Sequence, residues 1–354
     1  MIPYESFRKD YRSGVNRKVV LLIAILALAI LASFLRIAFD QYNIGFFEAY
    51  SVLIDHLTGV PVANEVDEYV IWERTTPRAI AVFAVGAGLG VCGAAMQSTL
   101  KNPLADPYMT GIASGANFGI SMAIVYGISL VPFLSGQASM ITNAFLLSLV
   151  PALFIVGVSV VKSISPAMMI LVGVSVMYVF SAATTMINLM ASPTQYIQIY
   201  TWALGTLGSI QWQHLPFVIS ASAIGAVSLT ILHARLNLMS YTDKESVSLG
   251  LNPKRTRILM IIIVSMVTAV LVCFSGTIGF VGLVAPHVMR ILIGSDNRYL
   301  IPASVFGGAL MLAVADTVAV KILPSGLPVG VITSLIGGPL FIYILVRQHK
   351  KIWS

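Results

Sequence analysis

The chain has 354 residues, of which 57% are hydrophobic and 10% charged, with a formal net charge of +7. Water-soluble chains carry about 25% charged residues, so the composition excludes a soluble globular domain and leaves most of the surface to lipid. The two cysteines, Cys92 and Cys273, both sit in apolar runs; they give neither a disulfide framework nor metal-ligand spacing, and no metal site is expected.

The first 18 residues are a basic segment containing Arg8, Lys9, Arg12, Arg17 and Lys18. The apolar run behind them, Val19 to about Phe39, is longer than the roughly 7–15 residues of a signal-peptide core and reads as a first span. Runs of about 17–25 apolar residues can cross the hydrocarbon as helices. They fall at 19–38, 78–98, 109–128, 141–161, 167–190, 213–232, 258–279, 283–294, 299–320 and 329–347. The eighth is short and reads as a partial helix packed inside the bundle; 191–212 has room for another short helix. Open sheet edges cannot face lipid. The expectation is an all-α integral membrane protein of about ten transmembrane helices, with 1–354 forming one transmembrane domain.

With the N-terminus in the cytoplasm and alternating spans, 17 of the 21 basic residues fall on cytoplasmic segments. The exceptions are Arg36, Arg74, Arg78 and Lys321. The positive-inside rule therefore predicts a multi-pass protein of the cell membrane with both termini cytoplasmic. It also turns the basic surplus into topology rather than nucleic-acid binding. The outer segment 40–77 holds seven of the 14 acidic residues, Asp40 and Glu73 among them. Within it Phe46, Phe47, Tyr50, Leu53, Ile54 and Leu57 recur at helical spacing, which predicts a short interfacial helix. That helix would cap the bundle or meet a partner. In the second span Gly86, Gly88, Gly90, Gly93, Ala94 and Ala95 would let helix backbones approach closely.

Four stretches stand out. Pro77-Arg78 precedes the second span, followed by Gln97 and the string Asn102-Pro103-Leu104-Ala105-Asp106-Pro107. Trp202 to Gly208 lies between the fifth and sixth spans. Asp243 to Leu251 occupies the longest cytoplasmic connection, 233–257. Gly279-Phe280-Val281-Gly282-Leu283-Val284-Ala285-Pro286-His287 opens the eighth helix. In this order and spacing they resemble the FecCD family, permeases of binding-protein-dependent importers for iron chelates, haem and vitamin B12, over residues 72–347.

The resemblance implies a type II ABC importer permease fold. It implies a homodimer, two ATP-binding subunits on the cytoplasmic face and a substrate-binding protein outside. The chain would be no enzyme and would bind no cofactor, with ATP and Mg on the partner subunits. It makes 240–257 the ATPase-coupling segment, with Asp243, Glu245, Ser246, Leu249 and Gly250 carrying it. It makes Arg78 a docking residue for the binding protein. The family's other docking arginines fall on Thr75 and Val320, so Arg74 and Lys321, each one place away, are the candidates. Trp202, Gly205 and Gly208 would gate the outer mouth; for Trp202, interfacial anchoring is the competing role. Asn102, Pro103, Asp106, Pro107, Gly282, Pro286 and His287 belong to the family motifs as structural residues. His287, beside Pro286 at a helix start, is expected to make a buried hydrogen bond at a kink. Asp106 and Asp316 are expected near helix ends.

No G-x-x-x-x-G-K-[ST] loop is present, so the chain carries no phosphate-binding loop of that kind. No H-E-x-x-H or G-x-S-x-G occurs, which weighs against an intramembrane enzyme. An ion-coupled secondary transporter would place ionisable groups near the midplane, and few occur there. The leading expectation is an importer permease passing a metal chelate, ferric siderophore first, with cobalamin or haem as the alternative.

Overall fold

The computed structural model describes residues 4–352, apart from 40, 41, 43, 163, 324 and 325. Asp40 lies outside the described residues, as do the side chains of Arg8, Lys9, Arg347, Lys350 and Lys351. Every regular element among the described residues is helical. In chain order they are α1 Tyr4–Leu35, α2 Phe46–Thr58, α3 Glu65–Glu68, α4 Thr76–Leu100, α5 Ile112–Tyr126, α6 Gly136–Val161, α7 Pro166–Asn188 and α8 Pro193–Ala203. There follow α9 Leu215–Ile231, α10 His233–Leu238, α11 Asp243–Ser248, α12 Pro253–Ser275, α13 Val281–Ile293, α14 Asn297–Ile322 and α15 Val329–Ile352.

Among the described residues seven helices are long and apolar enough to cross a membrane, and three shorter apolar ones, α5, α13 and part of α15, complete the expected ten. The basic segment before the first span is not a separate piece, because α1 runs through it from Tyr4. The seventh span ends at Ser275, four residues earlier than expected. Gly276 leaves the helix at φ 66°, ψ −163°, and residues 276–280 run without helical structure into α13. The short helix foreseen in 191–212 is α8. The helix expected within 40–77 is α2, which buries Ala49, Val52 and Leu53 and leaves Phe47, Ile54 and Leu57 exposed.

Helix α4 is the centre of the bundle. Nearly every residue from Ala79 to Leu100 is buried, as befits a helix that is apolar all round. It packs against α14, α9, α13 and α12. Backbone meets backbone there. A Cβ on Gly86 would stand 2.5 Å from Gly308 O, and one on Gly93 would stand 1.7 Å from Gly282 O. The second approach has a local cause. Pro286, six residues into α13, lacks the N–H that would bond Gly282 O, and that carbonyl lies against α4 instead. At the start of α4, Pro77 likewise breaks the regular ladder. The preceding turn, Tyr69–Thr75, widens to π geometry, with the Thr76 N–H bonded to Ile71 O.

Side-chain bonds separate the two faces of the bundle. On one, Lys101 reaches Asp243, Lys254 reaches Val160 O and Asn237 reaches Asp296. On the other, Trp212 reaches the carbonyl of Trp72, Tyr50 that of Phe34 and Gln195 that of Ile124. These are called the basic face and the acidic face below, after the residues each carries.

Gly93→Val should therefore cost more than the roughly 1–3 kcal/mol of ordinary overpacking, because the new carbon meets backbone. Its detergent-solubilised yield by size-exclusion chromatography should collapse. Gly157→Ala, where the added carbon meets nothing within 4 Å, should leave the yield unchanged.

Candidate functional site

At the acidic face the organising group is Asp316. Its side chain is fully buried and lies on α14 six residues before the helix ends. Arg36 Nε donates to Oδ2 at 2.6 Å, and Arg78 donates to Oδ1 through Nη2 at 2.6 Å and to Oδ2 through Nε at 3.0 Å. Arg36 lies in the short turn that ends α1, and Arg78 follows Pro77 in the first turn of α4. One carboxylate thus joins three helices that are far apart in sequence. Two guanidiniums supply the charge and the donors that a buried carboxylate requires.

Arg78 is therefore held by Asp316 and is only 15% exposed. Arg74 donates to the Tyr42 hydroxyl and pairs with no acid among the described residues. The two arginines meet with Arg36, Tyr42, Thr75, Gly208 and Val320 around one small recess. Lys321 stands apart from it, exposed, with its Nζ 5.9 Å from the centre of the Phe39 ring. The expected docking and gate sets touch at one point: Arg78 Nη1 lies 3.4 Å from the place of a Gly208 Cβ.

The remaining gate residues lie deeper. Gly205, unlike Gly208, has the left-handed backbone, at φ 77°. A Cβ there would stand 2.4 Å from Thr277 O, and one on Gly276 would stand 2.1 Å from Trp202 O. The Thr206 N–H donates to Ser275 O at 2.8 Å. The chain after α8 is thus locked against the end of α12. Trp202 lines a cavity of about 600 Å3 beside it, with Met140, Gln198 and Phe274.

At the basic face the connection between α9 and α12 folds into the two short helices α10 and α11. The local reasons are legible. Thr242 caps α11 by accepting from the Glu245 N–H, and Glu245 Oε2 accepts from the Thr242 N–H at 2.8 Å. Ser246 is buried and donates to Leu238 O at 2.8 Å, tying α11 back to α10. At the other end Gly250, at φ 84°, allows Leu251 N–H to bond Ser246 O at 2.9 Å, a glycine-terminated helix end. Asp243 bridges Lys101 Nζ at 2.8 Å and Arg257 Nη2 at 2.9 Å. Partial burial works to raise the Asp243 carboxyl, but the hydrogen bonds and charges of Lys101 and Arg257 outweigh it and hold it below the ordinary range. With these residues committed inward, Val247 and Leu249 point out, both more than half exposed. Beside them lies a groove of about 620 Å3, walled by Ser159 of α6, Ile164 of the following turn and Met169 of α7.

The motif residues divide by role. The Asn102 side chain accepts from the Leu104 N–H at 2.9 Å, and Asp106 accepts from the Tyr108 N–H at 2.8 Å. These bonds shape the turn around Pro103 and start the short turn at Pro107. A Cβ on Gly282 would stand 2.9 Å from Pro107 Cδ, so this turn seats directly on α13. His287 departs from expectation. It lies inside α13 rather than at its start, where the neighbouring backbone is used by the helix itself. Neither ring nitrogen has a partner among the described residues, and the ring stands edge-on to Phe341 at 5.9 Å. Sequence reasoning left Arg36, Asp316, Lys101 and Arg257 without roles. Arg36, one of four basic residues on the wrong side of the charge pattern, was the available signal.

Two outcomes follow. Asp316→Asn leaves two guanidiniums facing a neutral group, and breaking a buried pair costs about 3–5 kcal/mol; the thermal unfolding midpoint should fall by several degrees. For Asp243 the folded value is depressed, so its stabilisation is complete above its ordinary value of 3.8 and is lost as pH falls through the lower folded one. Hydrogen exchange in 243–250 should be unchanged from about pH 8 to about pH 5 after correction for intrinsic rates, and faster throughout that range in Asp243→Asn.

Known proteins share this architecture. Residues 25–347 match the model of the FecCD transport family. The hemin transport system permease of Yersinia pestis is 36% identical over 277 residues, covering 78% of this chain and 82% of that one. The vitamin B12 import system permease of Serratia proteamaculans is 34% identical over 286 residues, covering 80% and 84%. Among solved structures, an inward-facing conformation of a metal-chelate type ABC transporter superposes with a TM-score of 0.80 at 27% identity, covering 92% of this chain and 99% of that one. With the family match spanning nine-tenths of its length and the relatives covering more than two thirds of it, this multi-span chain belongs to the FecCD transport family.

Proposed function

We propose that this chain is the membrane-spanning permease subunit of an ATP-binding-cassette importer that passes a metal chelate, a ferric siderophore in the first instance. The observation that carries the coupling role is the surface built by α10 and α11. Capping, an inward serine and the Asp243 bridges make a rigid projection whose free side chains, Val247 and Leu249, are apolar. An exposed apolar knob beside a groove is what a partner's surface would engage. ATP binding and hydrolysis on two partner subunits, which hold the ATP and Mg, would move this projection. Asp243 passes the movement to α4 through Lys101 and to α12 through Arg257. The permease itself performs no bond chemistry.

In this reading the basic face lies in the cytoplasm of a cell membrane, with both termini there, and a binding protein docks at the acidic face. Arg74, Arg78 and Lys321 remain the docking candidates, with Arg78 steered by Asp316. A second copy of the chain completes the pathway. Helix α7, which buries only Met169, Gly173, Thr184 and Ile187, and α15, which exposes Leu335, Ile336 and Ile342, have faces open for it. Iron chelate is preferred over cobalamin or haem because importers of iron chelates are the commonest in the family.

Uptake by cells lacking the gene, with and without its restoration, tests the reading. Gene-dependent uptake of labelled ferric siderophore but not of labelled cobalamin is expected; the reverse would make this a cobalamin permease. Leu249→Glu should reduce uptake at least tenfold without lowering the membrane level of the protein, because it changes an exposed surface and not the fold. Uptake persisting without any ATPase partner would point to an ion-coupled carrier.

A further inference from the structure

The short helix α13 carries a polar stripe that neither the packing of the bundle nor the coupling surface uses. Leu283, His287 and Arg290 stand at i, i+4 and i+7 and so share one face of the helix. Gln97 of α4 lies along that face. Its Nε2 donates to Leu283 O at 3.0 Å, and its Oε1 accepts from Arg290 Nη2 at 3.3 Å. The donors there outnumber their partners. The single bond to Gln97 is the only one that the Arg290 guanidinium makes among the described residues, and its Nε has none. Arg36, Arg78, Lys101 and Arg257 each reach an aspartate; among the described residues Arg290 reaches no carboxylate. His287 is 2% exposed, and among the described residues neither ring nitrogen has a partner.

Buried polar groups in native proteins are nearly always paired, and each exception asks for a reason. A cation in the last turn of a helix is favoured by the helix carbonyls, which accounts for charge at Arg290. It does not account for a bare imidazole one turn earlier, about 4.5 Å along the axis. A group bearing negative charge and several acceptor oxygens would satisfy both at once: the fork of Arg290 suits an oxyanion, and the imidazole supplies a further N–H. Gln97, already bonded to α13 through its amide nitrogen, would hold the guanidinium in place from the other side.

We propose that His287 and Arg290, oriented by Gln97, form a binding site for one small oxyanion of carboxylate or phosphate type. The geometry of α13 carries this without the transport reading; only the source of the oxyanion, a free ion or an acid group on cargo, depends on it. The test uses the purified full-length chain in detergent with chloride as background at fixed ionic strength. Inorganic phosphate, citrate and ferric citrate are titrated separately, and the thermal unfolding midpoint is followed. A saturable rise is expected with at least one of the three. It should vanish in Arg290→Gln and require at least tenfold more ligand in His287→Phe, which keeps an aromatic ring against Phe341. Arg290→Lys should keep part of it. A rise confined to phosphate and free citrate identifies a free ion; tighter binding of ferric citrate than of citrate identifies an acid on cargo. No saturable rise, or a rise undiminished in both Arg290→Gln and His287→Phe, overturns the site. Failure of uptake would not affect this result, because the titration does not involve transport.

Discussion

The structure rests on how closely other backbones can approach α4. Lipid gives packed helices no hydrophobic reward beyond what lipid itself offers, so association depends on close packing. Here the approach is as close as the chain allows. The carbonyls of Gly282, Ser304 and Gly308 occupy the places where side chains of Gly93, Gly90 and Gly86 would stand. A carbonyl oxygen resting on a glycine CH2 is held only weakly, but several in register fix the depth of α13 and α14 against α4. That depth in turn sets where α13 starts, and hence the height of the 276–280 segment and of the loop locked to it after α8.

Both ends of α4 are then pinned by the same chemical device, a carboxylate shared between two cations from different elements. At the acidic face Asp316 holds Arg78 of α4 and Arg36 behind α1. At the basic face Asp243 holds Lys101, the residue that ends α4, and Arg257 of α12. The two differ in burial, and so in kind. Asp316 is sealed, and removing it strands two charges. Asp243 is half exposed and works in water, where an ion pair is worth little energetically but still sets register. A sealed clamp suits a fixed end, and a solvated one suits an end where movement is to be passed on.

The Asp243 surface could be read locally. A threonine three residues before a glutamate, an apolar pair and a closing glycine specify a short capped helix whatever surrounds it, and the structure gives that helix. The residues of this segment nevertheless act differently from one another. Glu245 and Gly250 build the projection, while Val247 and Leu249 are what it presents. At the acidic face, by contrast, Arg78 was visible as a basic residue behind a proline, but its partner lies 238 residues away. Nothing local to either residue announces the pair. His287 shows the same limit from the other side: a histidine beside a proline suggests a satisfied kink, and only the packing of α13 reveals a ring with no hydrogen-bond partner among the described residues.

Sequence by itself determined the apolar runs that become the long helices, the amphipathic helix within 40–77 and the family. Each of these follows from rules that act over one or two helical turns, or from the simple requirement that backbone polar groups in hydrocarbon be bonded within their own segment. Tertiary structure alone decided which charges pair, which glycines meet backbone and which polar groups go without a partner. Those outcomes depend on distances between helices, set by the close approach to α4, and no short stretch of sequence encodes a distance to a residue hundreds of positions away.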